Sequence, residues 1–383
     1  MRRPPDWGHA CPHPACARCK LMHTGHVSAL STSRTTSGKR RICRGRDCAT
    51  AFSETRDTVV VDRRTPEEKV ILALTRLLVG VALTGLAFVL GVTADTTLAW
   101  LARAAAQARQ LHDSRRRELP VTPVQRAARW HGSRRTHAAE DGDGASLPEA
   151  ADGRQWVWIS VAPASRLMLT AVVGPRTLET AQEVIEATAA IVRGVPAVFS
   201  DGFTGSVAAL IAVYHPLTSV PPTGTPGRPK DPRIEPPPAL VDGQLVQEQR
   251  PGRLVTRSTR SLAGAEPLTV RGLAVSTALS ERLHLTVRQA LAPLARQTYR
   301  VGTERAQRRR RVLCCQVCSH MARPPQSRRP QLPMRARRRL RAIRPRWRER
   351  TPAMAAGLTD HIWPFRELLT AKFAPLDSQS IRG

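Results

Sequence analysis

The chain has 383 residues and a strongly basic composition, with 60 Lys and Arg residues against 30 Asp and Glu residues and a formal net charge of +30. This length allows two or three small domains with at least one hydrophobic core. So large a charge excess is typical of proteins that bind a polyanion, and nucleic acid is the first partner to consider. The first thirteen residues are polar and lack the apolar segment of a secretory signal.

Arginine strongly outnumbers lysine, which favours bidentate contacts with phosphate groups. Mutational drift in GC-rich DNA is an alternative origin for part of this excess, because Arg codons are rich in G and C. Eight cysteines without an export signal indicate metal ligands or free thiols before disulfides. We therefore expect a prokaryotic cytoplasmic protein that is associated with the nucleoid.

Residues 1–60 contain five cysteines among turn and polar residues, which predicts a small metal-stapled module. Two pairs, each separated by four residues, lie roughly where the knuckles of a zinc ribbon would lie. The candidate zinc ligands are Cys11, Cys16, Cys43 and Cys48. The alternative is a set of unconnected thiols, since a regular ribbon has two C-x2-C pairs.

Residues 61–111 predict a helix-turn-helix. A helix start is indicated by Thr65-Pro66-Glu67-Glu68, with an N-cap, a proline and two acids in order. The apolar run at 77 to 92 approaches the length of a membrane span, but its glycines favour two short helices. We expect a first helix at 83 to 90, a left-handed turn at Gly91 and a recognition helix capped by Thr93.

The remaining chain predicts three further regions. Residues 112–154 are a polar linker with a degenerate first strand, and residues 155–300 form a catalytic domain. Within the latter we predict a hairpin at 156 to 173, a helix at 177 to 193, a strand at 196 to 200, a loop at 219 to 253 and a helix at 276 to 296. Residues 301–383 form a basic region that includes the Arg-dense tract 305 to 350.

Three ordered segments together resemble one family. The first spans residues 155 to 177 and begins Gln155-Trp156-Val157-Trp158, and the second is Phe199-Ser200-Asp201-Gly202-Phe203. The third begins at Glu281-Arg282-Leu283-His284 and continues with Arg323-Pro324 and residues 351 to 361. In this order they resemble bacterial insertion-sequence transposases of the DDE type, and the resemblance covers nearly the whole chain.

The resemblance implies an α/β (α+β) chain with a zinc ribbon, a helix-turn-helix, an RNase H-like mixed sheet with flanking helices and a basic C-terminal extension. Such enzymes hold two divalent ions, Mg²⁺ or Mn²⁺, between three acidic side chains. Asp201 corresponds to the second acid and Glu281 to the third. In isolation, Asp201 would indicate a turn and Glu281 a solvated helix charge.

The first acid of the family is missing. The family strand reads roughly Val-Gln-Leu-Asp-Glu-Leu-Trp, and here it corresponds to Val124-Gln125-Arg126-Ala127-Ala128-Arg129-Trp130, with Ala127 in place of the Asp. Gly45 also stands where the family has a zinc-ligand Cys, while Cys19, Cys43 and the pair Cys314-Cys315 stand where aromatic residues are usual. We therefore expect a degenerate copy with impaired catalysis.

The expected partners are the DNA of the element ends and the target, together with further copies of the chain, and neither a small-molecule substrate nor a membrane. Zn²⁺ would occupy the N-terminal module. Expected DNA contacts are Thr93, Thr96, Thr97, Arg103, Arg288, Arg308, Arg309 and Arg310. Three alternatives remain: an active transposase with another carboxylate in the gap at Ala127, a membrane-anchored basic protein, and a translation product that folds poorly.

Overall fold

A computed structural model describes residues 9, 11–19, 21, 25–35, 38–61, 65–130, 156–203, 205–214, 240–250, 253–260, 275–290, 305–325 and 349–372. The described chain is a mixture of helices and strands that form a three-stranded and a six-stranded sheet. It divides into two compact units. The first comprises residues 1–115, 313–354 and 358–383, and the second comprises residues 116–312 and 355–357.

The first unit begins with a small antiparallel sheet in the order β1-β2-β3. Its strands are β1 (Val27–Thr35), β2 (Gly38–Gly45) and β3 (Ala51–Ser53). Among the residues described in this module, the hydrophobic cluster of the sheet consists of Val27, Cys43 and Phe52. So small a core contributes little hydrophobic stabilisation, and small modules of this kind usually depend on a metal or disulfide.

Three helices follow, α1 (Glu67–Leu77), α2 (Leu83–Leu90) and α3 (Ala94–Arg115). Helix α2 ends at Gly91, whose φ of 58° is left-handed and therefore suits glycine. The Oγ1 atom of Thr93 accepts a hydrogen bond of 3.1 Å from the amide of Thr96 and caps the first turn of α3. The predicted bounds of α2, the turn at Gly91 and the cap at Thr93 are confirmed. The predicted Thr65 cap of α1 is wrong, because Pro66 holds the N-cap position and no side chain caps the helix.

Helices α2 and α3 meet at an angle of 109°, within the range of a helix-turn-helix. No single helix in the described part of the chain is long and apolar enough to span a membrane. Only the bent pair of α2 and α3 passes the length and composition criterion.

The second unit is built on a six-stranded sheet in the order β6-β5-β4-β7-β8-β9. Strand β4 pairs in parallel with β7, and β7 in parallel with β8, whereas the outer pairs are antiparallel. The strands are β4 (Val124–Trp130), β5 (Trp156–Ala162), β6 (Leu167–Gly174), β7 (Val198–Asp201), β8 (Asp242–Arg250) and β9 (Arg253–Arg260).

The predicted hairpin at 156 to 173 is confirmed as β5 and β6. The prediction of a loop over residues 219 to 253 is wrong at its end, since β8 occupies Asp242–Arg250. This strand is placed by long-range pairing with β7 and not by local composition. Residues 215 to 239 lie outside the described residues.

Helices cover both faces of this sheet. Helices α4 (Leu178–Ala189) and α5 (Gly205–Tyr214) pack with Trp158 and Val198 in one buried cluster. Helix α6 (Ala278–Ala290) lies against β4 and β5. Side chains alternate along a strand, so the position of each residue on β4 and β7 decides which set of helices it faces.

The last described helices are α7 (Arg305–Met321), α8 (Pro352–Ala355) and α9 (Phe365–Thr370). Helix α9 packs against α1 and α3, and the amide of Val59 donates a hydrogen bond of 3.2 Å to the carbonyl of Leu369. The predicted separate region 301–383 is therefore divided, and most of its described residues complete the N-terminal unit. Residues 326 to 348 of the Arg-dense tract lie outside the described residues.

Candidate functional site

Ala127 and Asp201 lie side by side on neighbouring parallel strands. The register of β4 and β7 pairs Gln125 with Phe199 and Arg126 with Ser200, so the next step along both strands brings Ala127 opposite Asp201. The Oδ2 atom of Asp201 accepts a hydrogen bond of 3.2 Å from the amide of Ala128. The position predicted to have lost an acid is therefore adjacent to the predicted second acid.

Helix α6, which carries Glu281, packs on the same face of the sheet. The amide of Leu279 donates to Oε1 of Gln125 at 3.2 Å, and Nε2 of His284 lies 3.1 Å from the carbonyl oxygen of Ala127. Gln125 and Ala127 share one face of β4 by alternation, so α6 crosses the sheet at Ala127. The helix that carries Glu281 thus contacts the strand that carries Ala127.

Arg126 is a buried cation beside this region. Its side chain is 2% exposed, and its Nη2 atom has no hydrogen-bond partner among the described residues. Burial lowers the pKa of Arg126 to about 10, while the nearby Asp201 carboxylate acts in the opposite direction. Its Nη1 atom donates a hydrogen bond of 3.5 Å to the carbonyl of Ala181. A buried guanidinium with so few partners is costly, and only its place in an apolar strand indicated it in the sequence.

These residues do not fit a pair of divalent metal ions. Ala127 offers no oxygen ligand, and Asp201 accepts a hydrogen bond from a backbone amide. Oε1 of Glu281 accepts a hydrogen bond of 3.1 Å from the side-chain hydroxyl of Thr277. The positive charge of Arg126 further opposes a cation at Asp201. Among the described residues, no group of three carboxylates or imidazoles comes close enough to share an ion.

A different cluster does have the composition of a metal site. The sulfur atoms of Cys11, Cys16 and Cys48 all lie within 4.8 Å of one another, and those of Cys11 and Cys48 are 3.3 Å apart. Burial raises the pKa of the Cys11 thiol to about 12. Hydrogen bonding to Thr50 lowers that of Cys48 to about 7. Three thiols at this spacing are compatible with Zn²⁺.

The structure corrects one of the four predicted zinc ligands. Cys43 lies on β2 and packs between Val27 and Phe52 in the hydrophobic cluster, away from the three gathered thiols. Cys43 is absent from the group of thiols that lie within 4.8 Å of one another. Gly45, two residues further, is instead the residue that adjoins the sulfur atoms.

The predicted DNA-contacting residues differ widely in their exposure. Thr93 and Arg310 are exposed and Thr96 is half-buried. Thr97 and Arg308 are buried, so neither is available to DNA, contrary to our prediction. Thr97 faces the interior of the helical unit, where its hydroxyl donates to the carbonyl of Thr93.

Three further arginines have contacts within the protein or partial burial. Arg103 donates a hydrogen bond of 3.0 Å to the carbonyl of Val61. Arg309 donates to the carbonyl of Val173 and lies 3.6 Å from a carboxylate oxygen of Glu183. Arg288 is half-buried on α6. These contacts and this burial make the three side chains less available to DNA than freely exposed arginines would be.

No protein-family model matches this sequence, and no curated protein matches it significantly.

Proposed function

We propose that this chain is a DNA-binding protein descended from DDE-type insertion-sequence transposases and that it does not cleave DNA. The observation that supports this best is the placement of Ala127 opposite Asp201, beneath the helix that carries Glu281. The parallel strands β4, β7 and β8, with helices on both faces, also favour an RNase H-like domain.

DNA binding is supported by the helix-turn-helix geometry of α2 and α3 and by the net charge of +30. Cleavage is disfavoured because two-metal phosphoryl transfer needs oxygen ligands on both ions. Ala127 supplies none, and Arg126 adds a positive charge. We therefore expect the full chain to bind the terminal inverted repeats that flank its gene without cutting them.

Binding is tested with a fluorescent duplex of one inverted repeat, titrated with the full chain at several salt concentrations. We expect the logarithm of the association constant to fall steeply with the logarithm of salt concentration. Arg310→Ala should reduce that slope by about 1. The buried substitution Thr97→Ser should leave the slope unchanged. A salt-independent association would contradict the proposal.

Cleavage is tested on the same DNA with Mg²⁺ or Mn²⁺. The wild type and Ala127→Asp are compared, with Ala127→Asp/Glu281→Ala as the control. Cutting by Ala127→Asp alone would support both the ancestry and the placement of the acids. Cutting by the wild type would instead favour the active transposase and show that Ala127 is not the first metal position.

A further inference from the structure

The three gathered thiols leave no room for a fourth ligand beside Gly45. The resemblance places a zinc-ligand Cys at this position, but a Cβ atom built on Gly45 would lie 2.9 Å from the sulfur of Cys48 and 3.2 Å from that of Cys11. The sulfur atoms therefore already occupy the place of that side chain. Structural zinc has four protein ligands in a tetrahedron, so the fourth has to come from another part of the module.

Cys19 is held by its main chain against two members of the thiol cluster. Its amide donates a hydrogen bond of 2.9 Å to the carbonyl of Cys16, and the two residues have the C-x2-C spacing that is typical of zinc ligands. Cys19 also pairs with Cys11 in a parallel β-bridge. Residues that are directly paired across a bridge project to the same face, so the side chains of Cys11 and Cys19 leave the bridge on one side.

The sulfur of Cys19 needs only a local movement to join the cluster. It lies outside the group of three sulfur atoms, and its side chain is half-buried, whereas Cys11 and Cys16 are buried. The χ1 torsion of a cysteine has three staggered positions, and a change between them moves the sulfur without moving the main chain. The free energy of binding structural zinc far exceeds the cost of such a rotation.

The other candidate ligands of the module have weaker ties to the cluster. Cys43 is buried in the hydrophobic cluster of the sheet. His13 is exposed, and His26 is buried with its carbonyl accepting the amide of Arg46. Neither histidine belongs to the group of gathered ligand atoms. Cys19, with main-chain contacts to two members of that group, is therefore the best placed of these residues.

We propose that Cys19 is the fourth zinc ligand of the module and completes a four-thiolate site with Cys11, Cys16 and Cys48. The thiols lose their protons to solvent when the ion binds. The ligand that is missing at Gly45 is thereby replaced from a position where the family has an aromatic residue. The ion joins the segment before β1 to the turn after β2, in a module whose hydrophobic cluster is small. This proposal does not depend on DNA binding.

Co²⁺ bound to the full-length protein reports its sulfur ligands through charge-transfer absorption. Cys19→Ser should lower this absorption by about a quarter, because the sulfur count falls from four to three. In a chelator competition the variant should bind Zn²⁺ more than about 100-fold more weakly, since loss of an outer-shell partner alone costs about 10–100-fold. Cys16→Ser should behave in the same way. The matched control Cys43→Val keeps an apolar side chain in the sheet and should change neither quantity.

Cys19→His keeps the test decisive even where Cys19→Ser does not fold. Its imidazole can replace the thiolate, so the variant should lose the same quarter of the absorption while retaining tight Zn²⁺ binding. The proposal is overturned when the wild type fails to bind Co²⁺, or when Cys19→His keeps the full wild-type absorption. It is equally overturned when His26→Ala weakens Zn²⁺ binding and Cys19→Ser does not, which would assign the fourth position to His26.

Discussion

The carboxylate of Asp201 lies against the amide of Ala128, one residue beyond Ala127, which faces the same side of the sheet as Asp201. An aspartate introduced at residue 127 would therefore place its carboxylate next to that of Asp201. A backbone amide already partners one oxygen of Asp201.

Ala127→Asp should create a weak cation site. Without metal, two neighbouring carboxylates repel each other, and we expect the free energy of unfolding to fall by about 1–3 kcal/mol. Mn²⁺ should restore the lost stability because it binds only the folded state. Thermal unfolding with EDTA and with Mn²⁺ measures both effects. Ala128→Asp faces the apolar cluster with Trp158 and should be destabilised without rescue by Mn²⁺.

Arg126→Leu should stabilise the protein. Replacing a buried, poorly paired charge with an apolar side chain typically raises the free energy of unfolding by about 1–3 kcal/mol. The folded-state pKa is about 10, lowered from its ordinary value of 12.5. The free-energy cost of the buried charge is therefore fully present below about pH 10. It disappears as the pH rises from about 10 towards 12.5, because the folded protein then loses the proton of Arg126. Denaturant unfolding at pH 6 and pH 8 should give the same gain, and exposed Arg310→Leu should give none.

Thr93→Ala should destabilise α3 at its first turn. The substitution removes the hydroxyl that accepts from the amide of Thr96, and loss of such a cap costs about 1 kcal/mol. Urea unfolding measures the change. Thr93→Ser retains the acceptor and serves as the matched control; a loss as large as that of Thr93→Ala would show that the methyl group matters instead.

The helical part of the first unit contains an apolar cavity of about 30 Å³, lined in part by Cys314, Leu101 and Phe365. Cys314→Val adds roughly one methyl group and should raise the free energy of unfolding by about 0.5–1 kcal/mol. Cys315 is buried on the same helix but does not line the cavity. Cys315→Val should therefore overpack its surroundings and be destabilised. Differential scanning calorimetry of both variants distinguishes the two environments.

Local signals predicted the helix-turn-helix because its turn depends on nearest neighbours. Gly91 supplies the left-handed residue and Thr93 the cap, and both act within four residues of themselves. The sequence pattern did not predict strand β8, because the position of this strand depends on pairing with β7, about forty residues earlier. Such pairing leaves little trace in local composition.

The candidate sites also combine residues that the sequence indicated with residues whose surroundings depend on long-range packing. Asp201 and Glu281 were selected by resemblance, and the structure brings their elements to Ala127. Arg126, in contrast, has an environment that only the packed sheet defines. Excluding Cys43 as a ligand required knowing that it packs with Val27 and Phe52. The spacing of the cysteines alone does not give that packing.

The return of the last residues to the first unit determines the order in which the chain completes its folding. Helix α9 packs on α1 and α3, and Val59 bonds to Leu369. During synthesis the N-terminal residues leave the ribosome first. Their unit is complete only after the last helix, α9, has been synthesised. The central unit, closed within residues 116–357, finishes earlier. A fragment that stops at residue 115 would therefore expose the apolar faces of α1 and α3, and expression trials of the first unit should retain residues 313–354 and 358–372.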